Sequence, residues 1–111
     1  MTGDGAHLFV VTVTVALEKP DGELAAVPPG RVAEALMAHA DVVTVCAEGA
    51  RRPVVYRVDV MAAGESSAAR GALAPAARVA EGLGLRADVR TITAVKEANR
   101  VEEFRRAVGG R

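Results

Sequence analysis

Two charged residues on one strand-like segment are the best candidates for chemistry in this chain. Arg57 and Asp59 lie two residues apart in the alternating segment 54–62, so they share one face of the predicted strand. An arginine can clamp a carboxylate or phosphate, and an aspartate beside it can act as a base. Arg90, on a later strand, and His39, at a predicted helix end, are the groups that could join them in a small anionic-ligand site. The same pattern fits an ordinary surface ion pair, which we favour because such pairs are common.

The remaining chemistry-bearing residues predict no catalytic, metal or cofactor site. His7 and His39 are the only histidines, and neither lies in a zinc-ligand motif. Cys46 lies within an apolar strand-like segment, so we expect a buried, unreactive thiol. Gly82-Leu83-Gly84 ends a predicted helix, whereas a phosphate-binding loop precedes one. We therefore expect a non-catalytic protein that needs no metal and no cofactor.

Composition excludes several classes of partner. Lys and Arg together number 14 and so do Asp and Glu, which argues against binding to nucleic acid or to an anionic membrane surface. No apolar run approaches the length of a membrane span, and the first residues lack the basic start of a signal peptide. A single cysteine allows no internal disulfide. These features predict one domain over residues 1–111 in the cytoplasm.

Hydrophobic periodicity predicts four strands and three helices. The predicted strands span residues 7–17, 41–48, 54–62 and 87–96, and the predicted helices span residues 28–39, 65–83 and 97–108. Pro75 interrupts the second helix, and we expect one kinked helix rather than two. Gly84 is expected to end it as the C′ residue. Residues 23–27 fit either a hairpin arm or a loop.

The element order over residues 7–96 is βαββαβ, followed by the additional C-terminal helix. Right-handed, un-knotted connections make a ferredoxin-like α+β two-layer sandwich the simplest arrangement, with the first and third strands in the centre. Both helices between strands then cover one sheet face. That face takes Phe9 and the alternate residues that follow it along the first strand.

The other face of this sheet carries many apolar side chains in the predicted arrangement. They are Leu8, Val10, Thr12, Thr14, Val55, Met61, Ile92 and Val42, and only Arg57, Asp59 and Arg90 are clearly polar. Exposed apolar patches usually mark interfaces. The C-terminal helix could cover the patch with Val101 and Phe104, or a second copy could pack on it. We favour the homodimer because two-fold dimers are the commonest assemblies.

Three families of related topology give limited guidance. RNA-recognition domains need aromatic side chains on the open face, and this sequence places Val and Thr there. The segment Glu18–Leu24 resembles the acidic-Pro-Gly-Leu turn of ACT-type ligand-binding domains, except that Asp21 separates Pro20 from Gly22 and two prolines follow. The resemblance would imply a small-molecule regulatory domain. Dimeric α+β-barrel enzymes are similar in topology only.

The sequence is therefore consistent with two functions. The first is a non-catalytic interaction module that self-associates or docks on a protein partner through the open sheet face. The second is a small-molecule domain or a small α+β-barrel-type enzyme with an anion pocket on that face. A dry apolar surface favours the first, and a cavity with converging Arg and Asp side chains favours the second.

Overall fold

The computed structural model describes residues 6–97 of the chain. Its elements in chain order are β1 (His7–Glu18), α1 (Pro29–Met37), β2 (Val42–Ala47), β3 (Val54–Ala62), α2 (Glu65–Ala72), α3 (Ala74–Gly82) and β4 (Arg86–Lys96). The predicted C-terminal helix beyond residue 97, with Val101 and Phe104, lies outside the described residues. Within residues 6–97, no helix is long and apolar enough to cross a membrane.

The four strands form one antiparallel sheet in an α+β arrangement. Their order is β2-β3-β1-β4, so β1 and β3 are the central strands, as the element order predicted. β2 and β3 are consecutive and pair as a hairpin. The helices contribute Val32 and Leu36 of α1 and several alanines of α2 and α3 to a core on one sheet face.

The core is built from aliphatic side chains around one tyrosine. Alternate residues of β1 are buried, and they face buried residues of β3 across the ladder. The fully buried side chains of largest volume are Tyr56, Leu36, Val11, Val13, Val15 and Val58. No charged residue is buried among the described residues. Burial alternates from Phe9 to Val15, beyond which Ala16 is buried as well, so over this stretch the other face of β1 is turned away from the helices.

The prediction of one kinked helix over residues 65–83 is wrong, because the chain forms two helices that meet at Leu73. Pro75 has no N–H for the Gly71 carbonyl. The next carbonyl, that of Ala72, accepts a 2.7 Å hydrogen bond from the Tyr56 hydroxyl of the sheet. Pro75 then lies in the first turn of α3, where its missing N–H costs no helical bond.

The end of α3 is a glycine-dependent cap. Gly84 has φ +70°, and the N–H of Leu85 donates to the Ala80 carbonyl at 2.8 Å. The N–H of Gly84 donates to the Glu81 carbonyl at 3.1 Å. This pair of bonds is the Schellman motif, so the prediction of Gly84 as the C′ residue is confirmed.

The two glycines at this helix end should respond to alanine in opposite directions. Gly84→Ala should lower the free energy of unfolding by about 1–2 kcal/mol, because a side chain is unfavourable at positive φ. Gly82→Ala should raise it by about 0.5–1 kcal/mol, because Gly82 is helical and a Cβ there meets no atom within 4 Å. Urea denaturation of both variants measures the difference, and equal shifts would contradict the cap.

The segment between β1 and α1 combines features of both predicted alternatives. After a turn closed by the Gly22 N–H on the Lys19 carbonyl at 2.8 Å, Leu24 makes a single antiparallel bridge with Glu18. The Ala25 N–H donates to the Leu17 carbonyl at 2.9 Å. The chain then leaves β1 and reaches α1 without further strand pairing.

Two irregularities in the edge strands change which side chains face the core. The pairing of β1 with β4 shifts by one residue at Arg90, and that of β2 with β3 shifts at Val43. Such bulges reverse the alternation beyond them. Ile92 consequently pairs with Val13 and packs against the core, and Val42 is buried. The predictions that both side chains lie on the opposite face are wrong.

Candidate functional site

The sheet face opposite the helices, here called the open face, carries most of the residues singled out from the sequence. Its members, taken from the register and from burial, are Leu8, Val10, Thr12, Thr14, Thr44, Cys46, Val55, Arg57, Asp59, Met61, Asp88, Arg90, Thr91, Thr93 and Val95. Within residues 6–97 no helix packs on it. Met61 is 63% exposed and Val95 is 39% exposed, so large apolar side chains remain open to solvent.

Two neighbouring cross-strand rows form the centre of the open face. The first, here called the Arg57 row, runs Thr44, Arg57, Thr12 and Thr93 across the four strands. The second, here called the Asp59 row, runs Asp59, Val10 and Val95. Methyl and hydroxyl groups of short β-branched side chains therefore surround the two charges.

The Arg57–Asp59 pair is an ion pair without a hydrogen bond. Arg57 Nε lies 3.8 Å from Asp59 Oδ1, which is beyond hydrogen-bond length. Both atoms are shielded from solvent, and neither has a hydrogen-bond partner among residues 6–97. The side chains as a whole remain 39% and 37% exposed. The pair therefore keeps unused hydrogen-bonding capacity at the middle of the face.

Arg90 does not join this pair. It is the extra residue of the β4 bulge, and its Nε lies 2.7 Å from Asp88 Oδ2, with Nη2 3.9 Å from Glu18 Oε2. Strand spacing and rise put its Cα about 14 Å from that of Arg57. The two arginines therefore bind different carboxylates and do not form one anion clamp.

His39 lies on the other side of the molecule. It lines an open depression of about 520 Å³ between α1 and α3, together with Arg31, Glu34, Ala35, Ala38, Arg78, Val79, Gly82 and Leu83. This depression is on the helix layer, so the structure separates His39 from Arg57, Asp59 and Arg90. The predicted four-residue ligand site is not assembled.

Cys46 is exposed rather than buried, which corrects the prediction for its thiol. It pairs with Val55, and this register places it on the open face. Its Sγ–H donates a 3.9 Å hydrogen bond to Glu48 Oε2. A carboxylate neighbour does not supply the positive surroundings that activate a thiolate.

The described part of the chain holds no metal-ligand cluster, and three depressions of its surface lie beside the helices or at the end of the sheet. No group of three or more His, Cys, Asp or Glu residues within 6–97 is arranged to hold a metal ion. The depression of about 490 Å³ next to the one beside His39 is lined by Lys19, Arg31, Leu85 and neighbours, again beside the helices. A third, of about 380 Å³ around His7, Gly64 and Lys96, lies at the end of the sheet. None of these three includes Arg57, Asp59 or Arg90.

Several open-face residues were missed from the sequence. Val95, Thr93 and Thr44 contribute exposed surface, and the side of the two β4 residues depends on the bulge at Arg90. The feature of the sequence that could have revealed these residues is the charged pair Asp88 and Arg90 on β4, which is followed by the apolar Ile92. A regular strand would put Arg90 and Ile92 on one face, and only an inserted residue lets one be solvated while the other is buried.

Comparison with protein-family models, with curated proteins and with solved structures gave no match.

Proposed function

We propose that this chain is a non-catalytic, ferredoxin-like interaction module that forms a homodimer by packing its open face on that of a second copy. The observation that carries the proposal is the face itself. Within residues 6–97 the helices cover only one side of the sheet, and the other side presents Met61 and Val95 at 63 and 39% exposure. Apolar surface of this kind is usually covered in the functional state.

The ferredoxin-like assignment is supported by the sheet. A hairpin of β2 and β3 and central β1 and β3 strands are what two right-handed βαβ crossovers on one layer would produce. Such a two-layer sandwich leaves a whole sheet face for a partner. Packing of two antiparallel sheets face to face is a common way to bury such faces.

The size of the face fits a dimer interface. Four strands at about 4.8 Å spacing and about ten residues at about 3.3 Å rise give a face of about 20 by 30 Å, or ~600 Å². Standard interfaces bury about 800 Å² of accessible surface per partner, with the smaller ones near 600 Å². A second copy therefore has enough area to bind without further contacts.

The charges of the open face favour a second copy over a polyanion. Arg57 and Arg90 are matched by Asp59 and Asp88 on the same surface. A face with equal numbers of both signs attracts neither nucleic acid nor an acidic membrane. It is, however, complementary to itself when turned over, which is what an isologous two-fold interface requires.

The small-molecule alternative receives no comparable support. Arg57, Asp59, Arg90 and His39 do not converge, and the depressions described above lie beside the helices or at the sheet end. A binding pocket needs polar groups that converge in a concave apolar site. The exposed thiol of Cys46 fits a reducing compartment, so the proposal includes a cytoplasmic location.

The solution mass of the full-length chain tests the proposal. Light scattering coupled to size exclusion at micromolar concentration should give about twice the 11.4 kDa of one chain. Dilution should return the monomer, because the interface has a modest area. A mass of one chain at every concentration up to the millimolar range would overturn the homodimer.

A further inference from the structure

We propose that Arg57 and Asp59 set the register of this dimer by exchanging partners, so that Arg57 of each copy contacts Asp59 of the other. The inference rests on the proposed homodimer and adds its geometry. It assigns a role to a charge pair that lies at the centre of the open face rather than at its edge.

The two ion pairs of the open face differ in whether their charged atoms have close partners. Arg90 and Asp88 make a 2.7 Å contact, so they need no further partner. Arg57 Nε and Asp59 Oδ1 stay 3.8 Å apart, both without a hydrogen bond. Polar atoms shielded from water normally have hydrogen-bond partners. The central pair is therefore the one that gains from a second copy.

Charge decides where the two-fold axis can lie. An axis along β3 would stack Arg57 on Arg57 and Asp59 on Asp59, which is repulsive. An axis along the strands between β3 and β1 would put the charges on Thr12 and Val10, which bear no charge. An axis across the strands at the level of Val58 puts the Arg57 row of one copy on the Asp59 row of the other. Among these three, only the last brings opposite charges together.

The same register also places uncharged side chains of one copy on uncharged side chains of the other. An axis across the strands keeps each strand over its own equivalent in the second copy, within the roughly 30° of aligned sheet packing. Thr12 then packs on Val10, and Val55 packs on Met61 of the second copy. The most exposed apolar side chain, Met61, is thereby covered by another apolar one.

The exchange would form a ring of four alternating charges. Buried ion pairs contribute little net affinity, because desolvation offsets their attraction. Their effect is on the choice between arrangements, since a shifted register leaves charges buried without partners. We therefore expect Arg57 and Asp59 to select one dimer, while the surrounding Val, Thr and Met surface provides most of the affinity.

Mixing two opposite single variants tests the exchange. Arg57→Asp carries two acidic residues at the centre and Asp59→Arg carries two basic ones, so each alone should dimerise at least tenfold more weakly than the wild type. Mixed in equal amounts, they should form heterodimers in at least about tenfold excess over either homodimer, as measured by native mass spectrometry. An ion pair confined to one copy predicts no such preference. Because stacking of Arg57 on Arg57 predicts the same preference as the exchange, the wild type is also mixed with the double variant Arg57→Asp, Asp59→Arg. The exchange then predicts that each protein pairs with itself, whereas stacking of identical positions predicts heterodimers.

A matched control uses the complete pair at the edge of the face. Arg90→Asp mixed with Asp88→Arg makes the same change in charge away from the proposed contact, and should show random pairing, with heterodimers about half of all dimers. If the wild type is a dimer but the Arg57 and Asp59 variants also pair at random, the exchange is overturned and the homodimer stands. A heterodimer preference as strong in the control would overturn it too. A monomeric wild type would overturn the homodimer itself.

Discussion

Tyr56→Phe should lower the free energy of unfolding by about 1–3 kcal/mol at neutral pH, the cost of leaving one buried acceptor unpaired. The phenol of Tyr56 is fully buried and donates at 2.7 Å to the carbonyl of Ala72, which is itself fully buried. In a tightened helical turn the Ala72 carbonyl would accept from the N–H of residue 75, but Pro75 has no N–H. The change preserves the ring and its packing, so the loss reports the hydrogen bonds of the hydroxyl group. Urea denaturation measures it.

The same hydroxyl predicts a specific loss of stability in alkali. Burial raises the pKa of Tyr56 to about 12, although a hydrogen bond from the Ala76 N–H partly opposes this rise. Since the pKa of a tyrosine in the unfolded chain is about 10, the folded state holds the proton more tightly. The contribution of this raised pKa to the free energy of unfolding is complete below pH 10. It is lost as the pH rises from about 10 to about 12, and the total loss is about 2–3 kcal/mol at most.

The alkaline effect can be assigned because the chain contains one tyrosine and no tryptophan. Tyrosinate absorbance of the folded wild type should titrate near pH 12, and that of the urea-unfolded chain near pH 10. The difference in stability between wild type and Tyr56→Phe should shrink over the same interval. Other groups titrate equally in both proteins and cancel. Titration near pH 10 in the folded protein would show that the hydroxyl is not held at the helix junction.

The sequence predicted the sheet well because its central strands obey a simple rule. On β1 and β3 every second residue is apolar, and the alternation alone gives their bounds and their buried side. β3 spans Val54–Ala62 in both the prediction and the structure. Central strands have neighbours on both sides, which leaves little freedom for irregular pairing.

The edge strands were predicted less well for a physical reason. Arg90 and Ile92 would share a face in a regular strand, yet one has ionic partners in solvent and the other packs on the core. Burying an isoleucine side chain contributes about 1.5–3 kcal/mol, which outweighs the ladder bond that a bulge interrupts. Val42 and Thr44 pose the same conflict on β2. The alternation of polar and apolar residues in the sequence does not show where a bulge inserts its extra residue.

Predicting the helix break and the candidate site would have required knowledge of contacts between residues that are distant in sequence. Pro75 marked the place of the break, but the bond that completes it comes from Tyr56, on another element. Likewise, Arg57 and Asp59 were predicted to share a face, and they do, whereas His39 lies beyond the sheet among the helices. Neighbours along a strand follow from its geometry, while the joining of separate elements depends on tertiary packing.

Val55→Asp should weaken dimerisation at least 100-fold, equivalent to about 2.7 kcal/mol, while leaving a folded monomer. Val55 is half-buried on β3 and faces Cys46 and Thr14 across the ladder, so no carboxylate opposes the new one. Val10 is a poorer choice because it pairs with Asp59, and like charges directly opposite destabilise a sheet. In the dimer the new carboxylate would be buried against Met61 of the second copy, where it lacks water and hydrogen bonds.

The matched control places the same residue on the helix layer. Ala77 is exposed on α3, so Ala77→Asp should leave the mass of the dimer unchanged. Circular dichroism and urea denaturation establish that both variants fold, since aspartate is unfavourable in strands by up to about 1 kcal/mol. If Val55→Asp folds and still elutes as a dimer while Ala77→Asp is monomeric, the interface is the helix layer. The open face would then have to be covered in another way, because Met61 and Val95 stay exposed when only the helices are paired.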